Sequence, residues 1–416
     1  MARVICLFQT KYLFSPAQSF RKFSHCSPYL KSEAGLVQHK TDKHNGGENN
    51  ASGDGRPAPS YFRDPRMWEG LKSEVPDHTI DVATLEPSVT PVSSKTPSEL
   101  ICSYNRQSSG EIKVPGYAAI WQHPKLPVTV PRDPQDNKPE TRPTKWKSLQ
   151  YPFQRAFEAT ALMNPDFRLN NVDIVITRDM LQKLLVFCSK TRQSFRLKLF
   201  LVNNTLFVDR FFIEATEWMD TGHGQSFETG FARFPPGLES STAHDRFLRY
   251  PLGDLSCMVG LAVDASYETD NKAKGVDRAE STPTTMANVM PQSTAAEVKS
   301  MFQRRSTNGI MPQLWFGRTP WLIVGFHNEG TFNKIKVTDA AALFKAWETE
   351  RQDDLRRLTA FLAELREGVR KCGGKECAAI YERDPTSRVI KFYSLAETEP
   401  VLPVAVVERF WGKEGA

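Results

Sequence analysis

The chain has 416 residues, of which 40% are hydrophobic and 25% are charged, so it can form one large core or two small ones without disulfide or metal staples. Its 54 basic and 48 acidic residues give a net charge of +6, a mild excess that favours polyanions such as RNA, phosphates or acidic membranes. No apolar run reaches the ~20 residues of a membrane span, which excludes a transmembrane helix. Seven irregularly spaced cysteines are not a disulfide framework, and they indicate an intracellular, reducing environment.

The N-terminal third of the sequence predicts little regular structure. Residues 1–32 contain five basic residues and no acid, which is typical of a mitochondrial presequence. The alternative is a basic tail on a cytoplasmic or nuclear protein. Residues 33–100 are rich in Pro, Ser and Gly and predict a disordered arm. Residues 101–147 predict an extended segment that packs on the following domain.

Regular structure is predicted from residue 148 to residue 411. A helix starts near Tyr151-Pro152, a buried strand follows at 172–176, and Thr177 can cap a second helix. Two strands at 195–202 and 205–213 then form a hairpin, because Asn203-Asn204 tolerates the positive φ of a tight turn.

The later elements complete an α/β (α+β) domain with a central mixed β-sheet flanked by helices. The patterns predict strands at 255–265, 294–302, 321–326 and 332–337, a flexible insertion at 268–290 and a short helical turn at 313–318. A long helix is predicted for 339–371, capped by Thr338 and ended by Gly373-Gly374, and a last hairpin for 378–393.

Three residues of this domain can carry chemistry. Glu297 and Lys299 lie two residues apart in a predicted strand, so their side chains share one face. Asp264 ends the preceding predicted strand and could pair beside Glu297. Carboxylates of this kind hold Mg²⁺ or Mn²⁺, the metal activates a water, and a lysine orients that water. The alternative is an ordinary salt bridge on an exposed strand face.

Short motifs spread over residues 102–365 resemble a known family. They include Ser103-Tyr104-Asn105, Val114-Pro115-Gly116, Tyr151-Pro152, Ser194-Phe195-Arg196, residues 249–255 (RYPLGDL), residues 296–299 (AEVK) and the stretch from Leu314-Trp315 to His327. The sequence resembles a fungal family of unknown function often labelled geranylgeranyl pyrophosphate synthetase. That family in turn is similar to the decapping and 5′-end quality-control exoribonucleases. The resemblance implies a nuclease-like core with Asp264 and Glu297 as metal ligands and Lys299 as a catalytic residue.

The sequence departs from both patterns. A prenyl synthase requires aspartate-rich helices, whereas the only Asp-Asp pair, Asp353-Asp354, continues as Leu-Arg-Arg. The exoribonucleases usually carry a second acid where this chain has Ala262, an acid where it has Phe200, and a glutamine near the position of Arg318. With half of its acids replaced, the site could hold one metal ion at most.

Two functions therefore stay open. The first is a degenerate nuclease-like domain that binds RNA or a protein partner through the former active-site groove. The second is a magnesium-dependent RNA nuclease or 5′-end pyrophosphohydrolase that uses Asp264, Glu297 and Lys299. For RNA binding, basic side chains are predicted to flank the site, and these are Arg196, Lys198, Arg304, Arg305 and Arg318.

Overall fold

Two β-sheets and seven helices form the part of the chain that the structure describes. The structure is a computed structural model, and it describes residues 67–134, 149–189, 194–213, 222–268, 289–302, 308–384, 386–396 and 401–412. One large hydrophobic cluster includes Val259 of the first sheet, Val324 of the second and Leu184 of a helix, so the two sheets share a core. The mixed fold predicted from the sequence is confirmed.

The first sheet has ten strands. In spatial order they are β1 (His78–Asp81), β17 (Val389–Ser394), β16 (Glu376–Tyr381), β7 (Phe195–Val202), β8 (Thr205–Ile213), β6 (Ile174–Thr177), β11 (Leu255–Val263), β10 (Ser241–Leu252), β2 (Glu99–Gln107) and β3 (Ile112–Lys113). Strand β6 runs parallel to both of its neighbours, β8 and β11. The other neighbouring strands are antiparallel, so the sheet is mixed.

The second sheet has seven strands. Their order is β5 (Val128–Thr129), β15 (Thr331–Asp339), β14 (Trp321–Asn328), β13 (Ala295–Phe302), β12 (Ala265–Ser266), β4 (Ile120–Trp121) and β9 (Ala232–Arg233). A single residue, Asp264, separates β11 from β12. The chain therefore passes from one sheet to the other at Asp264.

The helices are amphipathic and cover the sheets. They are α1 (Gln154–Met163), α2 (Arg178–Ser189), α3 (Gly224–Phe231), α4 (Met311–Gly317), α5 (Phe344–Glu350), α6 (Gln352–Lys371) and α7 (Val404–Trp411). In α2 the buried residues Leu181, Leu184, Leu185 and Cys188 recur at helical spacing and form one apolar face. No helix in the described ranges is long and apolar enough to cross a membrane.

Several ends of strands and helices were predicted correctly from local sequence signals. The hairpin of β7 and β8 has the predicted bounds, and Asn203 in its turn adopts a φ of 52°. The hydroxyl of Thr177 accepts a hydrogen bond from the Met180 N–H at 3.4 Å, so Thr177 caps α2 as predicted. The predicted helical turn near residue 313 is α4.

The N-terminal predictions need correction from residue 67 onward. Residues 67–100 are not a disordered arm, because β1 pairs with β17 and the side chains of Val82 and Val92 are fully buried. Residues 101–107 are extended, as predicted, but they form most of β2 inside the ten-stranded sheet and do not pack on the domain from outside. Residues 135–147 of the predicted segment lie outside the described residues. The presequence at 1–32, the arm up to residue 66 and nearly all of the insertion at 268–290 lie outside the described residues.

The long helix predicted for 339–371 is wrong at its start. Strand β15 continues to Asp339, because its ladder with β14 extends to the pair Trp321 and Asp339. A short 3₁₀ turn follows, and Arg351 interrupts the helical segment between α5 and α6 with φ −105° and ψ 16°.

Strand β10 has no counterpart among the predicted elements.

Candidate functional site

The candidate site lies where the two sheets meet. Because β6 and β11 are parallel neighbours, their C-terminal ends lie at the same edge of the ten-stranded sheet. Arg178 follows β6 directly as the first residue of α2, and Asp264 follows β11 directly. The chain therefore brings Arg178 and Asp264 to the edge that faces β13.

The three residues singled out from the sequence converge at this point. The Lys299 ammonium forms an ion pair with the Glu297 carboxylate, and its Nζ lies 3.9 Å from Asp264 Oδ2. The Asp264 carboxylate also accepts a hydrogen bond from the backbone N–H of Val298 at 2.9 Å. Strand β12 is only two residues long, so Asp264 satisfies a β13 N–H group that β12 does not reach.

Glu297 is the centre of the cluster and is almost sealed from solvent. Its side chain is 1% exposed, and Oε2 accepts a hydrogen bond from Arg178 Nη1 at 2.9 Å. Its other oxygen, Oε1, accepts hydrogen bonds from Lys299 and from the Gln313 amide of α4. Both carboxylate oxygens are therefore occupied by donors from three different elements.

The two carboxyl groups titrate in opposite directions. Burial and the neighbouring Glu297 carboxylate raise the pKa of Asp264 well above its usual value. Burial acts in the same direction on Glu297, but the cations Lys299 and Arg178 outweigh it and lower the pKa of Glu297 to about 2. Glu297 therefore stays charged, whereas Asp264 takes up its proton at a higher pH than an ordinary aspartate does.

A close approach by α4 helps to hold Arg178 in place. A Cβ atom added at Gly317 would lie 2.8 Å from Thr319 Oγ1 and 3.2 Å from the Cδ atom of Arg178. The Arg178 side chain is only 7% exposed. Glycine at position 317 thus leaves the space in which the aliphatic part of Arg178 passes on its way to Glu297.

The residues present do not fit a divalent metal ion. Both Glu297 oxygens accept hydrogen bonds from side chains, two of which are cations, and Asp264 Oδ2 is taken by a backbone N–H. Among the described residues, no three His, Cys, Asp or Glu side chains cluster so as to hold a metal. The guanidinium of Arg178 supplies beside Glu297 the positive charge that a metal ion would otherwise supply.

Ala262 and Phe200, the two positions at which the resemblance leads us to expect acids, differ in their surroundings. Phe200 is fully buried and stacks on Phe207 with ring centroids 4.6 Å apart, in a second core cluster that also contains residues of α1 and α7. Ala262 lies on β11, two residues before Asp264. Neither position supplies a carboxylate to the cluster around Glu297.

The basic residues predicted to bind RNA have contacts within the chain. Arg196 donates to the carbonyl oxygens of Met67 at 3.3 Å and Glu69 at 2.6 Å. Lys198 forms an ion pair with Glu376 at 2.7 Å.

Arg318 is buried as well. Its guanidinium lies 4.2 Å from the ring centroids of both Tyr250 and Trp315. Arg304 and Arg305 lie outside the described residues. A role of these five residues in RNA binding stays a prediction.

Two members of the site, Arg178 and Gln313, are not evident from the sequence. Arg178 stands just after the helix cap Thr177, and nothing in the local pattern shows that its side chain reaches β13. Gln313 is the clearer omission, because a glutamine near position 318 is expected from the exoribonuclease pattern and Gln313 lies five residues before it. Its contact with Glu297 depends on how α4 packs between the sheets.

Solved structures show which class of fold this is. Rai1 from Scheffersomyces stipitis has 13% sequence identity and a TM-score of 0.55, and the match covers 80% of this chain and 99% of that one. Rai1 from S. pombe in complex with 3′-FADP has 13% identity and a TM-score of 0.53, covering 76% and 99%. Rai1 from Candida albicans in complex with pU5-Mn²⁺ has 13% identity and a TM-score of 0.52, covering 80% and 98%. The protein thus has the fold of the Rai1 decapping nucleases, which confirms the predicted nuclease-like core.

The sequence itself belongs to a family without an assigned activity. Residues 77–411 match the family described as Domain of unknown function (DUF8563), and the chain is a member of that family. No curated protein matches the chain. Because the solved structures are only 13% identical, their likeness establishes the fold and not the activity.

Proposed function

We propose that this protein is a non-catalytic member of the Rai1 fold that binds single-stranded RNA without a divalent metal. The observation that carries the proposal is the state of Glu297. This carboxylate is buried, charged and neutralised by Arg178 and Lys299. A metal-dependent nuclease requires carboxylate oxygens that are open to a metal ion and to the water that it activates.

The charge of the cluster supports an anionic ligand. The Glu297 carboxylate lies between two cations, Arg178 and Lys299, while burial and Glu297 raise the pKa of Asp264 and so reduce its share of the negative charge. The exposed Asp179 approaches Arg178 only to 3.9 Å. Lys299 is the cation at the rim, since its side chain is 14% exposed while that of Arg178 is 7% exposed. A phosphate group that approaches this rim meets Lys299 first, and charge-assisted hydrogen bonds to phosphate are strong.

The ligands of the structural relatives support RNA as the anion. The Candida albicans Rai1 structure contains pU5, and the S. pombe structure contains 3′-FADP. Both ligands carry phosphate groups on a ribose. A shared fold with a positive centre favours a phosphate-bearing strand over a protein partner at this site.

The test measures binding and cleavage of a 5′-phosphorylated single-stranded RNA by the full-length protein. We expect binding in EDTA that is unchanged when Mn²⁺ replaces EDTA, affinity that falls with rising salt, and no shortened product. Lys299→Gln should weaken the binding. Binding that requires Mn²⁺, or no RNA binding at all, would overturn the proposal.

The alternative is a nuclease or 5′-end pyrophosphohydrolase that uses Mg²⁺ or Mn²⁺. The convergence of Asp264, Glu297 and Lys299 is the observation in its favour. Calorimetric titration of the wild type with Mn²⁺ separates the two. Heat of binding that Glu297→Gln abolishes, together with metal-dependent loss of the RNA, would establish the enzyme in place of the binding protein.

A further inference from the structure

A row of side chains leads from the candidate site to the edge of the seven-stranded sheet. Side chains at paired positions of neighbouring strands lie on the same face of a sheet. Lys299 of β13 pairs with Val324 of β14, which pairs with Lys336 of β15. Lys299 and Lys336 therefore lie on the same face, about 10 Å apart across two strand spacings. Val324 between them is only 1% exposed, so the solvent-facing side chains between the lysines are those of the neighbouring row.

A second row runs beside the first. Met301 pairs with Phe326, and Phe326 pairs with Lys334. Lys334 and Lys336 are two residues apart in β15, so their side chains project together from positions about 7 Å apart. Between the cations, the half-buried Met301 and Phe326 present apolar surface on the same face.

The outer edge of this face, at β15, is exposed and positively charged, whereas its inner positions Leu322 and Val324 belong to the core. Lys334 and Lys336 are both exposed, and neither has an ion-pair partner among the described residues. Side chains alternate between the two faces along β15, so Asp339 shares the face of Ile335 and Val337. That face is opposite to the one that carries Lys334 and Lys336. Across the described strands β13 to β15, Glu297 is the one acid on the lysine face, and Arg178 and Lys299 already neutralise it.

We propose that Lys334 and Lys336 form a phosphate-binding track for single-stranded RNA that leads across β15 to Lys299. Successive phosphates would lie on the lysines, and a base could stack on Phe326 between the two rows. Cations interleaved with an aromatic side chain are the arrangement that binds single strands without reading their sequence. This inference rests on the proposed function and names the surface over which its ligand enters.

Edge protection is the competing explanation for the two lysines. Strand β15 pairs with β5 only at Thr331 and Phe332, so in the described residues its outer side has no strand partner beyond Phe332. Lysines on an edge strand discourage pairing with other chains. Edge protection predicts aggregation when the lysines are lost, and it predicts no change in RNA affinity.

The experiment compares two double variants of the full-length protein. Lys334→Gln/Lys336→Gln removes the proposed track. Lys72→Gln/Lys375→Gln is the matched control, because it removes the same charge from two exposed lysines that flank the ten-stranded sheet. Affinity for a single-stranded RNA of mixed sequence is measured over a range of salt concentrations.

We expect the track variant to bind RNA more weakly and to lower the slope of log affinity against log salt by about 1.4, or about 0.7 for each phosphate contact. The control should keep the wild-type slope, and Lys334→Arg/Lys336→Arg should restore it. Wild-type RNA binding with the same slope in the track variant, or an equal loss in the control, would refute the track and leave the proposed function intact. A wild type that binds no RNA would refute both.

Discussion

Arg178 and Glu297 form a buried ion pair, and each side chain neutralises the charge of the other in the interior. A buried ion pair contributes little net stability, but removal of one partner leaves an uncompensated buried charge. Lys299 shares Glu297 with Arg178, yet it is nearer to solvent and also approaches Asp264. Arg178 is therefore the partner that loses most when Glu297 is neutralised.

We expect Glu297→Gln to lower the free energy of unfolding by about 3 kcal/mol, the lower end of the cost of breaking a buried pair. The double variant Arg178→Met/Glu297→Gln should recover most of that loss, because no unpaired guanidinium remains. Urea denaturation of the single and double variants measures the difference. Asp354→Asn is the control, since its ion pair with Arg351 is at the surface and should contribute less than about 1 kcal/mol.

His244 gives the protein a pH dependence that its position in β10 explains. Its Nδ1 donates to Asn105 Oδ1 at 2.8 Å, and its Nε2 is buried without a hydrogen-bond partner among the described residues. Burial, and then the nearby Arg246, lowers the pKa of His244 well below its usual value of 6.5. Protonation would place an unpartnered N–H and a charge in the core.

Because the pKa is lower in the folded state, the unfolded chain takes up this proton first as the pH falls. His244 therefore stabilises the fold above pH 6.5, and that contribution declines as the pH falls below 6.5 toward the folded-state pKa. We expect His244→Gln to make unfolding less sensitive to pH between 7 and 5, by up to about 1.4 kcal/mol per pH unit. Thermal unfolding at both pH values tests this, with the exposed His123→Gln as control, and equal slopes in all three proteins would contradict it.

At the scale of elements, the hairpin of β7 and β8 shows what a local signal can define. Asn203 occupies the left-handed region, which costs most L residues about 1–2 kcal/mol and which glycine adopts freely. We expect Asn203→Ala to lower the free energy of unfolding by about 1 kcal/mol and Asn203→Gly to leave it nearly unchanged. A larger loss for glycine than for alanine in urea denaturation would show that the turn does not depend on this backbone conformation.

Strands whose buried side chains are polar were not predicted from the sequence, and the reason is physical. In β2 the residues Ser103 and Asn105 are fully buried, and in β10 the residues His244 and Arg246 are 1% exposed. These side chains make part of their hydrogen bonds with one another and with the backbone, as when Asn105 binds His244 and the Tyr117 N–H and Arg246 donates to the Met290 carbonyl. An alternating apolar pattern is absent from such strands, so sequence periodicity does not reveal them.

The residues of the candidate site likewise fall into two groups, those that strand periodicity reveals and those that only the tertiary packing brings in. Glu297 and Lys299 were predictable because period-two spacing within one strand places them together. Arg178 and Gln313 reach the site from two helices, and their positions follow from the parallel pair β6 and β11 and from the close approach at Gly317. Those are tertiary relations that no window of sequence contains.

At the scale of the whole molecule, the segment before β2 joins elements that are far apart in sequence. The amide of Gln352 binds both the N–H and the carbonyl of Val92. The Glu348 carboxylate accepts hydrogen bonds from Ser93, Ser94 and the indole N–H of Trp315. The segment thereby connects α6, α5 and α4 to one another.

We expect a chain that begins at residue 98 to lose cooperative unfolding, whereas a chain that begins at residue 67 keeps it. The shorter chain lacks β1 and the buried Val82 and Val92, and it removes the three hydrogen bonds that Ser93 and Ser94 donate to Glu348. Differential scanning calorimetry of the two proteins measures the transition. A sharp transition in the shorter chain would mean that the segment is dispensable.

Asp264 holds two sheets together whether or not it ever meets a substrate. It is the single residue between β11 and β12, and its carboxylate completes the backbone pairing of β13 at Val298. This structural role requires an acceptor oxygen at position 264, which an aspartate or an asparagine can supply. The place of Asp264 in the fold can therefore be tested by folding alone, since Asp264→Asn keeps an acceptor oxygen for the Val298 N–H and Asp264→Ala removes it.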